Sequence, residues 1–240
     1  MALRFRPYPG FTIATLIAAA MLIALGVWQV QRLHWKLRLI ESISQHMHSK
    51  PVDMTETGML PEEIYTQYSH VRIRGHFDNA KEVYLFTIGL EGEPVYHVLT
   101  PFHSDGGNIF LIDRGMVDIE HLDPSTRRAG QIEGETQITG FWRWPDALGY
   151  FTPHPDPAHR IWYGRDLSAI EKFDKLKLHQ PGLVEADATP IPGGWPKGGQ
   201  TVVDLPNNHL SYAITWFGLA AGLIGVYLAY HMSKGRLRWA

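Results

Sequence analysis

Two stretches of this 240-residue chain, Gly10 to Val30 and Leu210 to Tyr230, run for 21 residues each without one Asp, Glu, Lys or Arg. A helix rises about 1.5 Å per residue, so either stretch reaches across the roughly 30 Å hydrocarbon core of a bilayer. The pattern predicts transmembrane helices at 10–30 and 210–230, and residues 31–209 must then leave and re-enter the membrane on one side. The first stretch is longer than the roughly 7 to 15 residues of a signal-peptide core. Its small-residue cluster, Ala18 to Ala20, lies inside it rather than after it, so it reads as an uncleaved anchor. The segment ahead of it lacks the Arg-rich, Ser-rich character of a transit peptide, which points to a bacterial plasma (inner) membrane.

Lys and Arg near the ends of spans are retained in the cytoplasm. The tails 1–9 and 231–240 carry Arg4, Arg6, Lys234, Arg236 and Arg238, while Arg32, Lys36, Arg38, Lys50 and Lys197 flank the spans on the other side. The counts tie. The tails reach theirs over a shorter length, and long translocated domains largely escape the rule. Both termini are therefore placed in the cytoplasm and the central domain in the periplasm.

All 24 acidic residues and all but five of the 22 basic ones lie between the spans, a formal charge of −7. Nucleic acid is excluded as a partner, because phosphate binding needs a concentrated positive surface. The chain has no Cys, which removes disulfides, thiolate metal sites and covalent c-type haem attachment.

The expected architecture is an α+β membrane protein, with two transmembrane helices flanking an extracytoplasmic, mainly antiparallel β domain. Leu33, Leu37, Ile40 and Ile43 extend the first helix to about Met47, and Pro51 ends it. Alternation predicts strands at 70–77, 82–88, 96–102, 109–114 and 137–143, separated by Gly, Asn and Asp turn signals. A short helix fits 167–173, and the Pro- and Gly-rich segment 181–196 reads as a loop. Pro206, Asn207 and Asn208 punctuate the start of the second span, Asn being a favoured cap for the free N–H groups of a first turn.

Trp28, Arg32 and Trp35 fall on one narrow helical face, with Lys36 beside it. Either they form an interfacial belt, with indoles at headgroup depth and cations on phosphates, or they dock an anionic amphipathic ligand or partner. On the second span His209, Ala213, Trp216 and Ala220 share a face, with Tyr212 beside it and Gly218, Gly222 and Gly225 opposite. Gly218 and Gly222 form a small-xxx-small pair suited to close helix–helix packing, with Ala14 and Ala18 or Ala20 and Ala24 as the facing surface. His209 is either a ligand, most simply of haem iron, or a hydrogen-bonded structural residue. Trp216, Trp28 and Arg32 could frame a macrocycle at that depth. His46 with His48, His154 with His159, and Trp142 with Trp144 lack the companions of known metal motifs. No nucleophile elbow, His-Glu-x-x-His or phosphate loop is present.

The residues Gly-Val-Trp-Gln-Val-Gln-Arg-Leu-His-Trp-Lys, 26–36, and Asn-Asn-His-Leu-Ser-Tyr-Ala-Ile-Thr-Trp-Phe-Gly-Leu-Ala, 207–220, resemble the two signatures of the Surfeit locus protein family, the Shy type. Arg74–Phe77, Thr100–Phe102 and Asp113–Gly115 stand in family order between them. Where the family usually reads Arg-Gly-Trp-Val-Pro, this chain has Arg114, Gly115, Met116, Val117 and Asp118, which weakens any claim that this segment is a site.

The resemblance implies an assembly factor for a haem-copper (cytochrome c) oxidase rather than an enzyme, with transiently bound haem a as cargo and His209 as its axial ligand. The implied partners are the catalytic subunit of the oxidase, haem a synthase and membrane lipid. Packing by Trp216 and Trp28 and propionate contacts by Arg32 or Lys36 are inferred from their depth. The alternative is a scaffold that stabilises an oxidase assembly intermediate without binding haem.

Overall fold

The computed structural model describes residues 3–56, 67–89, 92–145, 148–179, 181–201 and 205–239. In chain order these form β1 (Leu3–Phe5), α1 (Pro9–His48), β2 (Val52–Asp53), β3 (His70–Phe77), β4 (Val83–Ile88) and β5 (Pro94–Ser104). There follow β6 (Ile109–Val117), β7 (Thr136–Arg143), β8 (Ile161–Trp162), α2 (Leu167–Asp174), β9 (Leu183–Ala186), α3 (His209–Ser233) and β10 (Leu237–Trp239). The chain divides into two compact units, one of Met1–Ser42 with Asp204–Ala240 and one of Ile43–Val203.

In the first unit α1 and α3 run antiparallel, and both are long and apolar enough to cross a membrane. The 40 residues of α1 reach about 60 Å, twice a hydrocarbon core, because its apolar spacing continues beyond the charge-free stretch. Thr15, Ala19, Gly26 and Gln29 are its buried residues, and Ala213, Ala220, Tyr227 and His231 are those of α3. Both sets fall on a heptad spacing, with steps of 4, 7 and 3 residues in α1 and 7, 7 and 4 in α3, as in a left-handed helix pair. Outward lie large apolar side chains such as Leu16, Ile17, Met21, Ile214 and Val226, each at least 60 % exposed.

This seam reverses the face assignment read from the sequence. A Cβ at Gly218, Gly222 or Gly225 would meet nothing within 4 Å, and Ala14, Ala20 and Ala24 are exposed. The close approach is instead at Gly26, where a Cβ would lie 2.6 Å from the Phe217 ring. The longer side chain of Phe217 leans toward the start of its own helix and covers that gap. Gly26→Leu is therefore expected to cost about 1–3 kcal/mol by overpacking, whereas Gly222→Leu, which also gains helix propensity, costs nothing. Thermal unfolding of the two variants in detergent measures the difference, and equal losses would contradict this seam.

Beyond the helices the two tails pair as a ribbon, with Leu3 opposite Trp239, Arg4 opposite Arg238 and Phe5 opposite Leu237. His231, fully buried, ties the ribbon to the helices. Its Nδ1 donates to the Tyr227 carbonyl at 2.9 Å, and its Nε2 accepts from the Tyr8 N–H at 3.3 Å.

The second unit is an eight-stranded sheet in the order β2-β3-β7-β9-β6-β5-β4-β8, with β3 also pairing β5. That extra pairing closes β3, β7, β9, β6 and β5 into a ring, leaving β4 and β8 as an extension. Neighbours are antiparallel except β2 with β3, β4 with β8 and β6 with β9. Strand β6 is buried on both faces: Phe110 and Ile112 join one core with Trp142, while Leu111 joins another with Trp162 and with Leu167 and Ile170 of α2. Two-sided burial explains the apolar run Ile109 to Ile112 that opens it.

All five strands expected from alternation are present, β5 and β6 being longer than expected. The segment 181–196 is not wholly a loop, because Leu183–Ala186 form β9, the strand that links β6 to β7. Arg114 to Val117 is strand as well, and Met116 exchanges hydrogen bonds with Lys197 at 3.0 and 2.9 Å.

Candidate functional site

His209 is the first residue of α3. Asn208 occupies the capping position, but its side chain makes no cap; its carbonyl instead accepts from the Tyr212 N–H at 3.2 Å. The side chain of Asn207 is not a cap either, and its Oδ1 is buried without a hydrogen-bond partner among the described residues. The His209 imidazole reaches across the seam, where its Nδ1 lies 2.7 Å from Gln29 Oε1. A carbonyl oxygen can only accept, so Nδ1 carries the hydrogen, and in the neutral ring Nε2 is then the nitrogen with the lone pair.

The two histidines of α3 therefore differ in what they have left to offer. His231 spends both ring nitrogens on backbone groups and is sealed among Phe5, Tyr8, Phe11 and Tyr227. His209 is only half-buried and, among the described residues, spends one. A neutral imidazole with its second nitrogen fixed by a hydrogen bond is the usual form of a metal-ligating histidine, because the fixed nitrogen sets the tautomer and the ring orientation.

Trp216 lies two turns along from His209, half-buried on the same stripe, and Tyr212 is exposed beside it. On α1, Trp28 is 54 % exposed and the Arg32 guanidinium sits 3.9 Å above the Trp35 ring. Lys36 is half-buried one turn further on. Thus Arg32 is brought to Trp35 rather than to His209, and Gly218 and Gly222, expected at the helix contact, are on the open side. Gln29, 9 % exposed, is the residue the sequence reading missed. Its signal was present: an amide within a charge-free apolar stretch, spaced three from Gly26 and four from Leu33, belongs to the seam and needs a partner.

The other histidine and tryptophan pairs have local roles. His48 Nδ1 lies 2.7 Å from the Ser44 carbonyl, His159 Nδ1 lies 2.7 Å from Asp156 Oδ2, and Trp142 packs edge-on against Trp144 in the core.

Residues 16–221, which include both signatures and the His209–Gln29 pair, match the profile of the SURF1 family. The chain belongs to the SURF1 family. It is 37 % identical over 215 residues to Surfeit locus protein 1 of Xenopus tropicalis, covering 82 % of this chain and 68 % of that one. Surfeit locus protein 1 of Mus musculus is 35 % identical over 221 residues, covering 86 % and 71 %. That of Takifugu rubripes is 33 % identical over 237 residues, covering 91 % and 96 %. The SURF1 region thus takes in the site on both helices as well as the sheet between them.

Proposed function

We propose that this SURF1 protein holds haem a in the membrane through His209 and assists its insertion into the catalytic subunit of a haem-copper oxidase. The observation that carries the reading is the His209–Gln29 hydrogen bond, which in the neutral imidazole makes Nε2 the lone-pair donor of a half-exposed ring. Haem a supplies an iron that accepts such a nitrogen and a macrocycle with a long apolar tail, too insoluble to travel through water. A single exchangeable imidazole suits cargo that must be released better than a closed two-ligand site.

The order of side chains along the helices supports the same reading. Gln29 and His209 lie at one level. Arg32 and Lys36 lie about 4.5 and 10.5 Å further along α1, and Trp216 about 10.5 Å along α3 in the opposite sense. Cations toward one side and an indole toward the other match propionates facing water and a macrocycle facing lipid.

A membrane setting is supported by the apolar outer surface of α1 and α3, which hydrocarbon would cover without cost. The pairing of Leu3–Phe5 with Leu237–Trp239 supports cytoplasmic termini and a periplasmic central domain in a bacterial inner membrane. Haem a synthase is a further partner in this scheme. The same His209–Gln29 bond also favours a scaffold reading, in which it only locks the helices together.

Purification from cells with and without haem a synthesis separates the two. The haem reading predicts about one haem a per chain only when it is made, and the scaffold reading predicts no specific haem band in either case. Gln29→Leu is expected to weaken haem binding roughly 10- to 100-fold, the range found when a ligand's hydrogen-bond partner is removed. Haem titration of the detergent-solubilised protein measures it, and an unchanged affinity would remove Gln29 from the site.

A further inference from the structure

The ribbon formed by the two tails carries a charge arrangement that neither the helix pairing nor the haem reading uses. Its register sets Arg4 directly opposite Arg238. Like charges in that position repel, and strands of three residues offer few other pairs to offset the repulsion. Both side chains are exposed, as are Arg6 and Lys234, while Arg236 is half-buried. No Asp or Glu occurs before Glu41 or after Asp204, and Glu41 stands about 48 Å of helix beyond Pro9. Among the described residues none of these cations pairs with a carboxylate side chain.

The ribbon is held in place by the helix ends. Gly235, at φ +65°, turns the chain out of α3, and the Arg236 N–H closes that turn on the His231 carbonyl at 2.9 Å. The Arg236 guanidinium lies 3.7 Å above the Tyr8 ring and donates to the Arg6 carbonyl at 3.2 Å, so this cation is committed to the fold. Phe5 packs against the Tyr227 and His231 rings, with centroids 6.4 and 5.4 Å away. Side chains of a strand alternate between faces, so Arg4 and Arg238 share the face opposite Phe5 and Leu237. Retention of basic tails in the cytoplasm needs only their number. A register that opposes two guanidinium groups gains from an anion between them.

We propose that Arg4 and Arg238 together bind the phosphate of an anionic phospholipid, with Arg6 and Lys234 adding to the field around it. The proposal rests on the membrane reading of α1 and α3. On that reading the ribbon lies at headgroup depth, because only Arg6, Pro7 and Tyr8 separate β1 from α1, and only Lys234, Gly235 and Arg236 separate α3 from β10. The oxygens of one phosphodiester accept from both guanidinium forks, which turns a repulsion into two ion pairs. A zwitterionic lipid offers the same phosphate, but its ammonium group opposes the basic field. Lipids of net negative charge are therefore selected, as they are by other basic clusters beside a membrane span.

The test reconstitutes the full-length protein into phosphatidylcholine vesicles with a trace of spin-labelled phosphatidylglycerol or spin-labelled phosphatidylcholine. Electron paramagnetic resonance compares the fraction of each label immobilised on the protein. The wild type should prefer the anionic label about fivefold, and the preference should fall roughly threefold or more in Arg4→Gln/Arg238→Gln. Arg4→Glu should lower it at least as much while raising the melting temperature, because opposite charges then face each other across the ribbon. Selectivity lost in that variant is not lost folding. Millimolar inorganic phosphate should reduce the preference no more than sodium chloride of equal ionic strength. A larger loss in phosphate shows a site for the free ion and overturns the lipid assignment. Equal immobilisation of the two labels by the wild type, or an undiminished preference in both variants, overturns the proposal alone. Release of the protein from the vesicles by alkaline carbonate overturns the membrane reading, and the proposal with it.

Discussion

His209→Ala is expected to lower the haem a that co-purifies with the protein more than tenfold, and with it the haem content of the oxidase in the same cells. The side chain removed supplies the one imidazole nitrogen of α3 without a hydrogen bond among the described residues. The loss should come with little unfolding, because only a half-buried ring and a single hydrogen bond are deleted, worth about 1 kcal/mol. His231→Ala provides the opposite result. It empties a fully buried aromatic cage and leaves the Tyr8 N–H unpaired, so its melting temperature should fall clearly. Its haem binding should persist in the fraction that stays folded. Absorption spectra and thermal melts of the two proteins, measured side by side, separate a ligand from a structural histidine.

Glu82→Ala is expected to give the largest loss of stability in the sheet unit. Glu82 is 4 % exposed and gathers four donors: Arg127 Nη2 at 2.5 Å and Nη1 at 3.4 Å, the Tyr84 hydroxyl at 2.6 Å and Gln131 Nε2 at 3.1 Å. The Arg127 side chain is 1 % exposed and has no other carboxylate recorded within ion-pair range among the described residues. Arg114 stands nearby, bonded to the Gly130 carbonyl and to Asn79, and burial pushes its guanidinium down to about 10 even with Glu82 opposing. Removing the carboxylate leaves two buried cations without their anion, a change that typically costs about 3–5 kcal/mol. For a unit of this size that is a fall of roughly 10 °C in melting temperature. Calorimetry on the intact protein measures it, and a shift below about 2 °C would mean that water reaches Arg127 and replaces the acid.

What could be read from the chain depended on how much of the physics was local. The alternation of His70 to Phe77 is visible because one face of β3 is buried and the other half-exposed, and the charge-free length of the two spans is a property of composition alone. Strand β9 was hidden because its four residues sit between Pro181-Gly182 and a run of Pro and Gly, and its order comes from β6 and β7, distant in sequence. The tail ribbon was hidden for the same reason, since β1 and β10 are three residues each and find each other only once the helices pair.

The helix seam shows a different limit. Gly218 and Gly222 satisfied the small-residue pattern, yet the backbone approach is made at Gly26 under Phe217, because Ala213, Ala220 and Tyr227 already supply a stripe with coiled-coil spacing. Pattern alone does not say which of two small faces meets the partner; the bulk on the facing helix decides. His209 was legible as a candidate, but its use of Gln29 was not, since the two are 180 positions apart. That contact decides which ring nitrogen carries the hydrogen.

The most direct test of the central claim is the vibrational spectrum of the ferrous haem a complex of the intact protein, prepared with ordinary and with ¹⁵N-labelled histidine. The account predicts an iron–histidine stretching band that shifts with the label and disappears in His209→Ala. The same band persisting unchanged in His209→Ala would place the iron on another residue and contradict the account.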